Sequence, residues 1–295
     1  MTASRDPSID LMIIGVEKAG TTALFRHLGQ SPHISTHIQR EMFYFLSDDE
    51  FARGWEYACD KYFPEASAGI RLAKNVMQVN SRLAMQRLRE QCPQVRCVLM
   101  FREPASRAWS AYNYAVLRGV ETAGSFGEAL ALEPVRREES ERAASPLYYV
   151  ANSTYAEKLI AAREIFGAEN VLVLYHEDYR NSARSELAKI ETWLGKDLFM
   201  GVKLDLGRHN KAAQPRSRFV ARLLHKGLSS SGRAKMLLRR LVPHTLAARL
   251  RHALLNLNRV ESPNRPMPED DAMSIRARLA EDREELVRLV GHCPW

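Results

Sequence analysis

The stretch LMIIGVEKAGTTAL, residues 11–24, decides the fold. Its four leading residues, 11–14, have the length of a strand and offer apolar side chains to both faces, as strands of buried parallel sheets do. A glycine-flanked turn follows, and Thr21 and Thr22 begin a helical pattern over roughly 20–30. Such a turn presents backbone N–H groups at a helix N-terminus, where an anion can bind. The stretch predicts an α/β fold with an anion-binding loop.

Two further apolar runs, at 95–101 and 171–175, are also followed by helical patterns, at roughly 104–118 and 181–194. Another helix is predicted over 148–165. This alternation of strand and helix is typical of βαβ units. The predicted fold class is therefore α/β: a P-loop-containing three-layer fold with a central parallel sheet flanked by helices, plus a basic, mainly helical C-terminal tail.

The charge is unevenly distributed along the 295 residues, whose formal net charge is +8. Residues 203–259 contain 14 Lys or Arg and one Asp, which gives that segment +13 and leaves −5 for the rest. We therefore divide the chain into an α/β domain at 1–218 and a basic helical extension at 219–295. A contrast of this size indicates an anionic partner for the basic segment. The candidates are an anionic membrane surface, a polyanionic sugar and the acidic face of the domain itself.

No stretch reaches the roughly 18 to 20 consecutive apolar residues of a membrane span, and the N-terminus has no apolar leader pattern. We expect a cytoplasmic protein, or one bound peripherally at a membrane surface. The four cysteines show no Cys-x2-Cys spacing. His176 and His209 have no ligand partners at metal-site spacing, so no metal site is predicted.

The loop after the first strand differs from the nucleoside-triphosphatase pattern Gly-x4-Gly-Lys-[Ser/Thr]. Thr21 stands where that pattern has lysine, and Lys18 lies inside the loop instead. A lysine in that place is aimed at the bridging oxygen of a short anhydride, where negative charge develops as the bond breaks. A simple strand-to-helix turn is the alternative, but it requires one glycine and no lysine.

The loop VEKAGTTAL, residues 16–24, resembles that of the sulfotransferases that use 3′-phosphoadenosine 5′-phosphosulfate (PAPS). In that family a Lys-x-Gly-Thr-Thr-type loop after a strand holds the 5′-phosphosulfate. The resemblance implies that Lys18 is catalytic and binds the donor at the leaving phosphate and the bridging oxygen. It also implies a 5′-phosphate site formed by Ala19, Gly20, Thr21 and Thr22.

A second anion site is predicted at FREPASRAWSAY, residues 101–112. Arg102 leaves its strand at the carboxyl edge of the sheet, where ligands of open α/β sheets bind, and Ser110 lies two helical turns later. The stretch resembles the sulfotransferase signature for the 3′-phosphate, which implies that Arg102 and Ser110 hold that group. Arg107 is placed either on the same side or in a structural salt bridge. An ordinary capped helix with an exposed arginine is the alternative.

The segment QREMFYF, residues 39–45, resembles the glutamate-containing segment of heparan-type and Golgi carbohydrate sulfotransferases. The resemblance implies that Glu41 is the general base; Phe43 stands where several members have histidine. Lys74 occupies the place of a further catalytic lysine, although its neighbours AKNV differ from the usual Glu-Lys-[Thr/Ser]-Pro. An exposed glutamate beside core aromatic residues is the alternative for this segment.

A late basic loop, RHNKAAQPRSR at 208–218, resembles the loop with which many sulfotransferases close over the nucleotide. The resemblance implies that Arg216 and Ser217 contact the donor, with Lys211 next in order. A solvated basic loop is the alternative.

The resemblance implies transfer of a sulfuryl group from PAPS to a hydroxyl of a carbohydrate, glycolipid or natural product, with 3′-phosphoadenosine 5′-phosphate (PAP) as product and no metal. Two other functions remain open. One is a Mg²⁺-dependent P-loop kinase that uses the strand before Asp178. The other is a non-catalytic polyanion-binding protein. Nucleic acid is not the expected partner, because Phe219 is the only aromatic residue in the basic segment.

Overall fold

The structure is a computed structural model, and it describes residues 8–65, 69–139, 145–207, 213–217, 219–222, 257–261 and 266–295. Within this part of the chain, five parallel strands form the central sheet, in the order β2-β3-β1-β4-β5. These strands are β1 (Leu11–Gly15), β2 (Ile34–Thr36), β3 (Ile70–Lys74), β4 (Arg96–Phe101) and β5 (Val171–Tyr175).

Helices connect the strands and flank the sheet. In chain order they are α1 (Thr21–Leu28), α2 (Asp48–Phe51), α3 (Gly54–Tyr62), α4 (Arg82–Gln91), α5 (Pro104–Leu117), α6 (Phe126–Glu138), α7 (Ala156–Phe166), α8 (His176–Asn181), α9 (Ala183–Leu194), α10 (Glu269–Arg278) and α11 (Ala280–Val290). Short 3₁₀ turns lie at Gln78–Asn80, Ala151–Ser153 and Ala168–Asn170. Among the described helices, none combines the length and apolar character needed to cross a bilayer.

The central strands are covered on both faces. Every residue of β1 is buried, and successive side chains of a strand point to opposite faces. Helix α1 packs against β1, α7 against β4 and β5, and α9 against β5. The result is the predicted three-layer α/β architecture, in which the loops after β1, β3, β4 and β5 lie at one edge of the sheet.

A second, smaller apolar cluster joins α5, α6 and α10. Phe126 of α6 packs between the rings of Tyr112 and Tyr149, at centroid distances of 5.2 and 6.0 Å. Ile275 of α10 is fully buried in the same cluster. This cluster fixes α5, which follows Arg102, against the C-terminal part of the chain.

The C-terminal helices also cap and anchor elements of the α/β domain. Both carboxylate oxygens of Asp282 accept hydrogen bonds from backbone N–H groups at the start of α7, those of Tyr155 (2.8 Å) and Ala156 (3.0 Å). Arg276 of α10 lies 3.1 Å from Glu103, the N-cap of α5. The residues after 266 are therefore packed into the domain that carries the predicted site.

A short antiparallel pair lies on α5. Strand β6 (Ala213–Pro215) pairs with β7 (Arg259–Glu261), and β6 packs against α5. Gly119, just after α5, has a φ of 72°, and a Cβ there would lie 2.1 Å from the carbonyl oxygen of Ala221. The glycine lets the segment around 221 approach the end of α5 this closely.

The three strands predicted from apolar runs are confirmed, whereas β2 and β3 were not predicted. The helix predicted over 148–165 begins only at Ala156. A 3₁₀ turn at Ala151–Ser153 precedes it, and there the Glu133 carboxylate accepts the N–H groups of Val150 and Ala151 at 2.8 Å each. These bonds hold the separate 3₁₀ turn, and α7 starts after it. Most of the basic segment 203–259 lies outside the described residues.

Candidate active site

The turn after β1 has the backbone geometry of an anion-binding loop. Gly20 is the N-cap of α1, and its φ of 98° lies in the left-handed region that favours glycine. Gly20 offers no side chain to accept a hydrogen bond from the first turn of α1, and that turn has no acidic residue. The Ala23 and Leu24 N–H groups donate to the Gly20 carbonyl at 2.9 and 3.2 Å, which leaves those of Thr21 and Thr22 for an external anion. The helix dipole adds about half a positive charge there.

Lys18 lies in the same loop with a φ of 69°, a strained conformation for a residue other than glycine, at a cost of roughly 1–3 kcal/mol. Its ammonium lies 4.3 Å from the ring centroid of Tyr114 on α5, and the Arg40 guanidinium lies 5.8 Å from the same ring. Burial lowers the pKa of Lys18; the Glu17 carboxylate opposes this shift, and Arg102 and Arg40 increase it. The loop is thus crowded with positive charge.

Arg102 lies directly beside that loop. Its Nη1 donates a hydrogen bond to the carbonyl oxygen of Lys18 at 3.1 Å. Its own carbonyl accepts from the Tyr155 hydroxyl at 2.7 Å. Burial lowers the pKa of Arg102, and the Glu177 carboxylate opposes this shift. Ser110 is half-buried on α5, two turns into the helix. Arg102 is thus adjacent to the predicted 5′-phosphate loop, and Ser110 lies on the helix that follows it.

Glu41 and Lys74 form a buried ion pair at the end of β3. The Lys74 ammonium donates to Oε1 of Glu41, and the N–H of Val76 donates to Oε2 at 3.1 Å. The Met42 N–H donates to the Lys74 carbonyl at 2.8 Å, and the Asn75 side-chain amide donates to the Met42 carbonyl at 2.8 Å. These bonds dock the segment around Glu41 onto the sheet edge. Burial lowers the pKa of Lys74, and the charge of Glu41 opposes this shift.

Glu17 connects the ion pair electrostatically with the loop. Its Oε2 is buried and has no hydrogen-bond partner among the described residues. Burial raises the pKa of Glu17; Arg107 and Lys18 oppose the rise, and Glu41 adds to it. The Glu41 carboxylate is therefore close enough to the loop to influence its charges.

A structural salt bridge was one of the two placements considered for Arg107 from the sequence. Among the described residues, Arg107 forms no salt bridge. It is fully buried, and its guanidinium donates to the Ser153 hydroxyl and the Tyr149 carbonyl, both at 2.6 Å. It therefore joins α5 to the turn before α7.

Arg216 and Ser217 follow β6 on the face of α5. Asn258 fixes both of them: its backbone carbonyl accepts the Arg216 N–H at 2.6 Å, and its side-chain amide both accepts from the Ser217 N–H and donates to the Ser217 carbonyl, at 3.0 Å each. Asn258 is buried, whereas Arg216 is exposed and Ser217 is half-buried. Lys211 and His209 lie outside the described residues.

Sequence reasoning assigned no site role to several residues that contact the predicted loops: Arg40, Tyr114, His176, Glu177 and Asn258. His176 and Glu177 directly follow the apolar run at 171–175. The signal that found Lys18 and Arg102, a polar residue at the end of a buried strand, was therefore present. Asn258 carries no such signal, because its contacts with Ser217 join residues 41 positions apart.

The site fits a nucleotide that carries two separate phosphates. The N-terminus of α1 has no side-chain cap, and Lys18 and Arg102 lie beside it, where the Arg102 charge adds to the lowering of the Lys18 pKa. An anion between these cations would relieve their repulsion. The described residues contain no grouping of three or more His, Cys, Asp or Glu side chains placed to hold a metal ion.

Comparison with known families agrees with this geometry. The sequence model of the family described as "Sulfotransferase domain" matches residues 8–218. The match includes both predicted phosphate sites, the Glu41–Lys74 pair and the loop at Arg216 and Ser217. It favours the sulfotransferases over the Mg²⁺-dependent kinases considered from the loop pattern.

Curated relatives belong to one named group of animal proteins. Bifunctional heparan sulfate N-deacetylase/N-sulfotransferase 1 of Mus musculus is 27% identical over 240 residues, which cover 77% of this chain and 26% of that protein. The Homo sapiens protein of the same name is 26% identical over 245 residues, with the same two coverages. The chain thus spans about a quarter of the length of the curated relatives that it matches.

Among solved structures, a sulfotransferase from Alicyclobacillus acidocaldarius aligns with a TM-score of 0.58 and 24% sequence identity. The alignment covers 70% of this chain and 87% of that chain. The similarity confirms the predicted fold class.

Proposed function

The chain belongs to the sulfotransferase family of PAPS-dependent transferases, and we propose that its acceptor is a hydroxyl of a carbohydrate or glycolipid. When bound, the nucleotide supplies the sulfuryl group: the bond from sulfur to the 5′-phosphate oxygen breaks as the acceptor oxygen bonds to sulfur. The protein contributes position and charge. We assign these contributions to the residues of the site as follows.

The loop after β1 holds the 5′ end of the donor. The N–H groups at the start of α1 bind phosphate oxygens, and the hydroxyls of Thr21 and Thr22 add donors. Ala19 and Gly20 supply the backbone of the loop. The Lys18 ammonium stabilises the negative charge that develops on the leaving phosphate, an effect realised only as the bond breaks.

The 3′ end of the donor is held from α5 and its neighbours. The Arg102 guanidinium and the Ser110 hydroxyl suit a phosphate monoester, because an arginine fork can bind two of its oxygens. Arg216 and Ser217 close over the nucleotide from β6. Holding the donor at both ends keeps the sulfuryl group facing the acceptor, which converts binding energy into orientation.

Glu41 takes the proton of the attacking hydroxyl. Lys74 and the Val76 N–H hold its two oxygens, so the carboxylate is fixed before an acceptor arrives. Lys74 acts through Glu41 and is assigned as a residue that positions the base.

The observation that carries this proposal is the 3.1 Å hydrogen bond between Arg102 Nη1 and the Lys18 carbonyl. It supports the proposal because it joins the two segments to which we assign the two phosphates of the donor, at the edge of one sheet. A ligand that carries a 5′-phosphosulfate and a 3′-phosphate has anionic groups for both sites.

The carbohydrate-type acceptor is supported by two features. The base position holds Glu41, as in the heparan-type and carbohydrate branches that its segment resembles, and the matched relatives are named for heparan sulfate. We further propose a cytoplasmic enzyme whose basic segment at 203–259 reaches an anionic membrane surface, which would bring a lipid-linked acceptor to the site.

Transfer of labelled sulfate from PAPS to a panel of sugars, glycolipids and phenols tests the function. Sulfation of a sugar or glycolipid supports it; sulfation of phenols alone contradicts the acceptor class. Retention on immobilised adenosine 3′,5′-bisphosphate, lost in Arg102→Ala, tests donor binding separately. Activity that requires Mg²⁺ and a nucleoside triphosphate would contradict the whole assignment.

Flotation with anionic and neutral liposomes at low and high salt tests the membrane contact. Co-flotation with anionic vesicles that is lost at high salt is the expected result. Absence from the lipid fraction at both salt concentrations would contradict peripheral binding and leave the transferase activity unaffected.

A further inference from the structure

The dipeptide His176–Glu177 stands at the end of β5, where it contacts both predicted phosphate sites. Strands β1, β4 and β5 are consecutive in the sheet order, so the segments that follow them lie next to one another. The segments after β1 and β4 carry Lys18 and Arg102. The segment after β5 has no role in the proposed transfer itself.

His176 is bonded to the loop after β1. Its Nδ1 lies 3.0 Å from the Ala19 carbonyl oxygen, and a carbonyl can only accept, so Nδ1 carries the hydrogen. Burial lowers the pKa of His176 to about 4, and the Arg102 charge adds to the shift, so the ring is neutral at neutral pH. A Cβ on Gly20 would lie 2.9 Å from the same Nδ1. The imidazole therefore packs into the space that Gly20 leaves and ties the loop to β5.

Glu177 is bonded to the turn after β4. Its Oε1 accepts the backbone N–H of Glu103 at 3.1 Å, one residue beyond Arg102. Glu103 in turn caps α5, where its carboxylate accepts the N–H groups of Ala105 (3.3 Å) and Ser106 (2.7 Å). Oε2 of Glu177 is buried and has no hydrogen-bond partner among the described residues. Glu177 thus fixes the point where the chain turns from Arg102 into α5.

We propose that His176 and Glu177 are positioning residues that set the separation between the 5′-phosphate loop and the 3′-phosphate arginine. This inference rests on the proposed function, because it concerns the distance between the two halves of the donor site. Two adjacent residues, the first two of α8 directly after β5, hold the two loops, one each. The loops therefore cannot move apart without breaking one of these bonds.

A change in the separation of the two sites should weaken only those ligands that bind to both sites at once. Once one phosphate is bound, the second binds as an intramolecular event, and its gain depends on the spacing of the sites. A change in spacing reduces that gain and leaves each site able to bind a single phosphate. A general loss of structure would instead weaken every ligand.

The test measures three dissociation constants by titration calorimetry, for adenosine 3′,5′-bisphosphate, adenosine 5′-monophosphate and adenosine 3′-monophosphate. In His176→Ala and Glu177→Ala, affinity for the bisphosphate should fall about 10-fold or more, and affinity for each monophosphate should stay within about 2-fold. His176→Asn and Glu177→Gln keep a donor and an acceptor, respectively, and should retain most of the preference for the bisphosphate.

Two further variants guard against unfolding and against a nonspecific effect at this strand end. His176→Phe keeps a ring in the same space but has no donor, so it should lose the preference as His176→Ala does. Tyr175→Phe is the matched control: it removes the 2.7 Å bond from the Tyr175 hydroxyl to the His292 carbonyl and touches neither loop. It should bind all three ligands as the wild type does, even if its melting temperature falls.

Parallel weakening of all three ligands, or an unchanged preference for the bisphosphate in both alanine variants, would overturn the positioning role and leave the proposed function standing. A wild-type protein that binds the bisphosphate no better than the monophosphates would overturn the proposed function, and the positioning role with it.

Discussion

The ammonium of Lys74 and the carboxylate of Glu41 form a hydrogen-bonded ion pair, with Lys74 buried and Glu41 half-buried beside the loop of Lys18. The pair restricts the side-chain conformations of both residues. A general base is effective only when its oxygen is held within reach of the proton that it removes. The pair therefore prepares the carboxylate for catalysis at the cost of burying a lysine.

Replacement of Lys74 by methionine, which has a similar length and no charge, should impair turnover and spare donor binding. We expect kcat to fall by roughly 10²-fold, the lower end of what a general base contributes, because Glu41 loses one of its two orienting partners. Steady-state kinetics and PAP titration separate the two effects. The control is Lys189→Met, which breaks the pair of the exposed Lys189 with the buried Glu186 and should leave kcat and PAP affinity unchanged. An unaltered kcat in Lys74→Met would contradict the orienting role.

Replacement of Lys18 by alanine should lower turnover far more than donor affinity. The charge that Lys18 compensates develops as the bond to the leaving phosphate breaks, so its loss should cost about 10²- to 10³-fold in kcat. PAP affinity should change less than about 10-fold, because the N–H groups of α1 and Arg102 remain. Single-turnover kinetics and PAP titration make the comparison, with the exposed Lys196→Ala as control. A loss confined to affinity would count against the leaving-group role.

Asn258 offers a test of the loop at Arg216 and Ser217. Asn258→Ala removes both side-chain bonds to Ser217, and we expect several-fold weaker PAP binding if that loop closes over the nucleotide. Asn258→Asp keeps the acceptor for the Ser217 N–H and loses the donor, so it should be intermediate. In a background that already carries Ser217→Ala and Arg216→Ala, the Asn258 change should have little further effect on affinity. Additive losses would show that Asn258 acts elsewhere.

The sequence predicted the parts of the site that follow an apolar strand. Lys18 and Arg102 were proposed in this way, because β1 and β4 contain continuous apolar runs and a cationic residue follows each strand within three positions. Strand β2 has only three residues, and β3 contains Arg71 and Lys74, so neither has a clear strand pattern. Lys74 was placed by resemblance to a family, and only the structure brings its ammonium to Glu41.

Contacts between distant segments had no signal in the sequence. The hydrogen bond between Asn258 and Ser217 and the cation–π contact of Lys18 with Tyr114 depend on how separate elements pack together. His176 did follow a predicted strand, but a single histidine does not reveal that its Nδ1 faces the Ala19 carbonyl. Strand ends indicate where a site lies, whereas the packing of elements decides which side chains meet there.

The free energy of unfolding should decrease as the pH falls from neutral, because His37 is protonated more readily in the unfolded chain than in the folded protein. His37 is buried beside Phe25, at a ring distance of 4.7 Å, and burial lowers its pKa from 6.5 to about 4, with the Lys74 charge adding to the shift. Between these two values the unfolded chain binds a proton that the folded protein does not, so stability falls as the pH drops and is constant above about 7. For His37 alone, the free energy of unfolding should be about 2 kcal/mol lower at pH 5 than at pH 7.5.

Urea unfolding of the wild type and of His37→Phe at pH 5 and pH 7.5 measures this contribution. The phenylalanine fills a similar space among aromatic neighbours and does not titrate, so its loss of stability at pH 5 should be smaller than that of the wild type by about 2 kcal/mol. The remaining loss should include His176, whose pKa is also lowered to about 4 by burial and by Arg102. Equal pH dependence in His37→Phe and the wild type would mean that folding does not lower the pKa of His37.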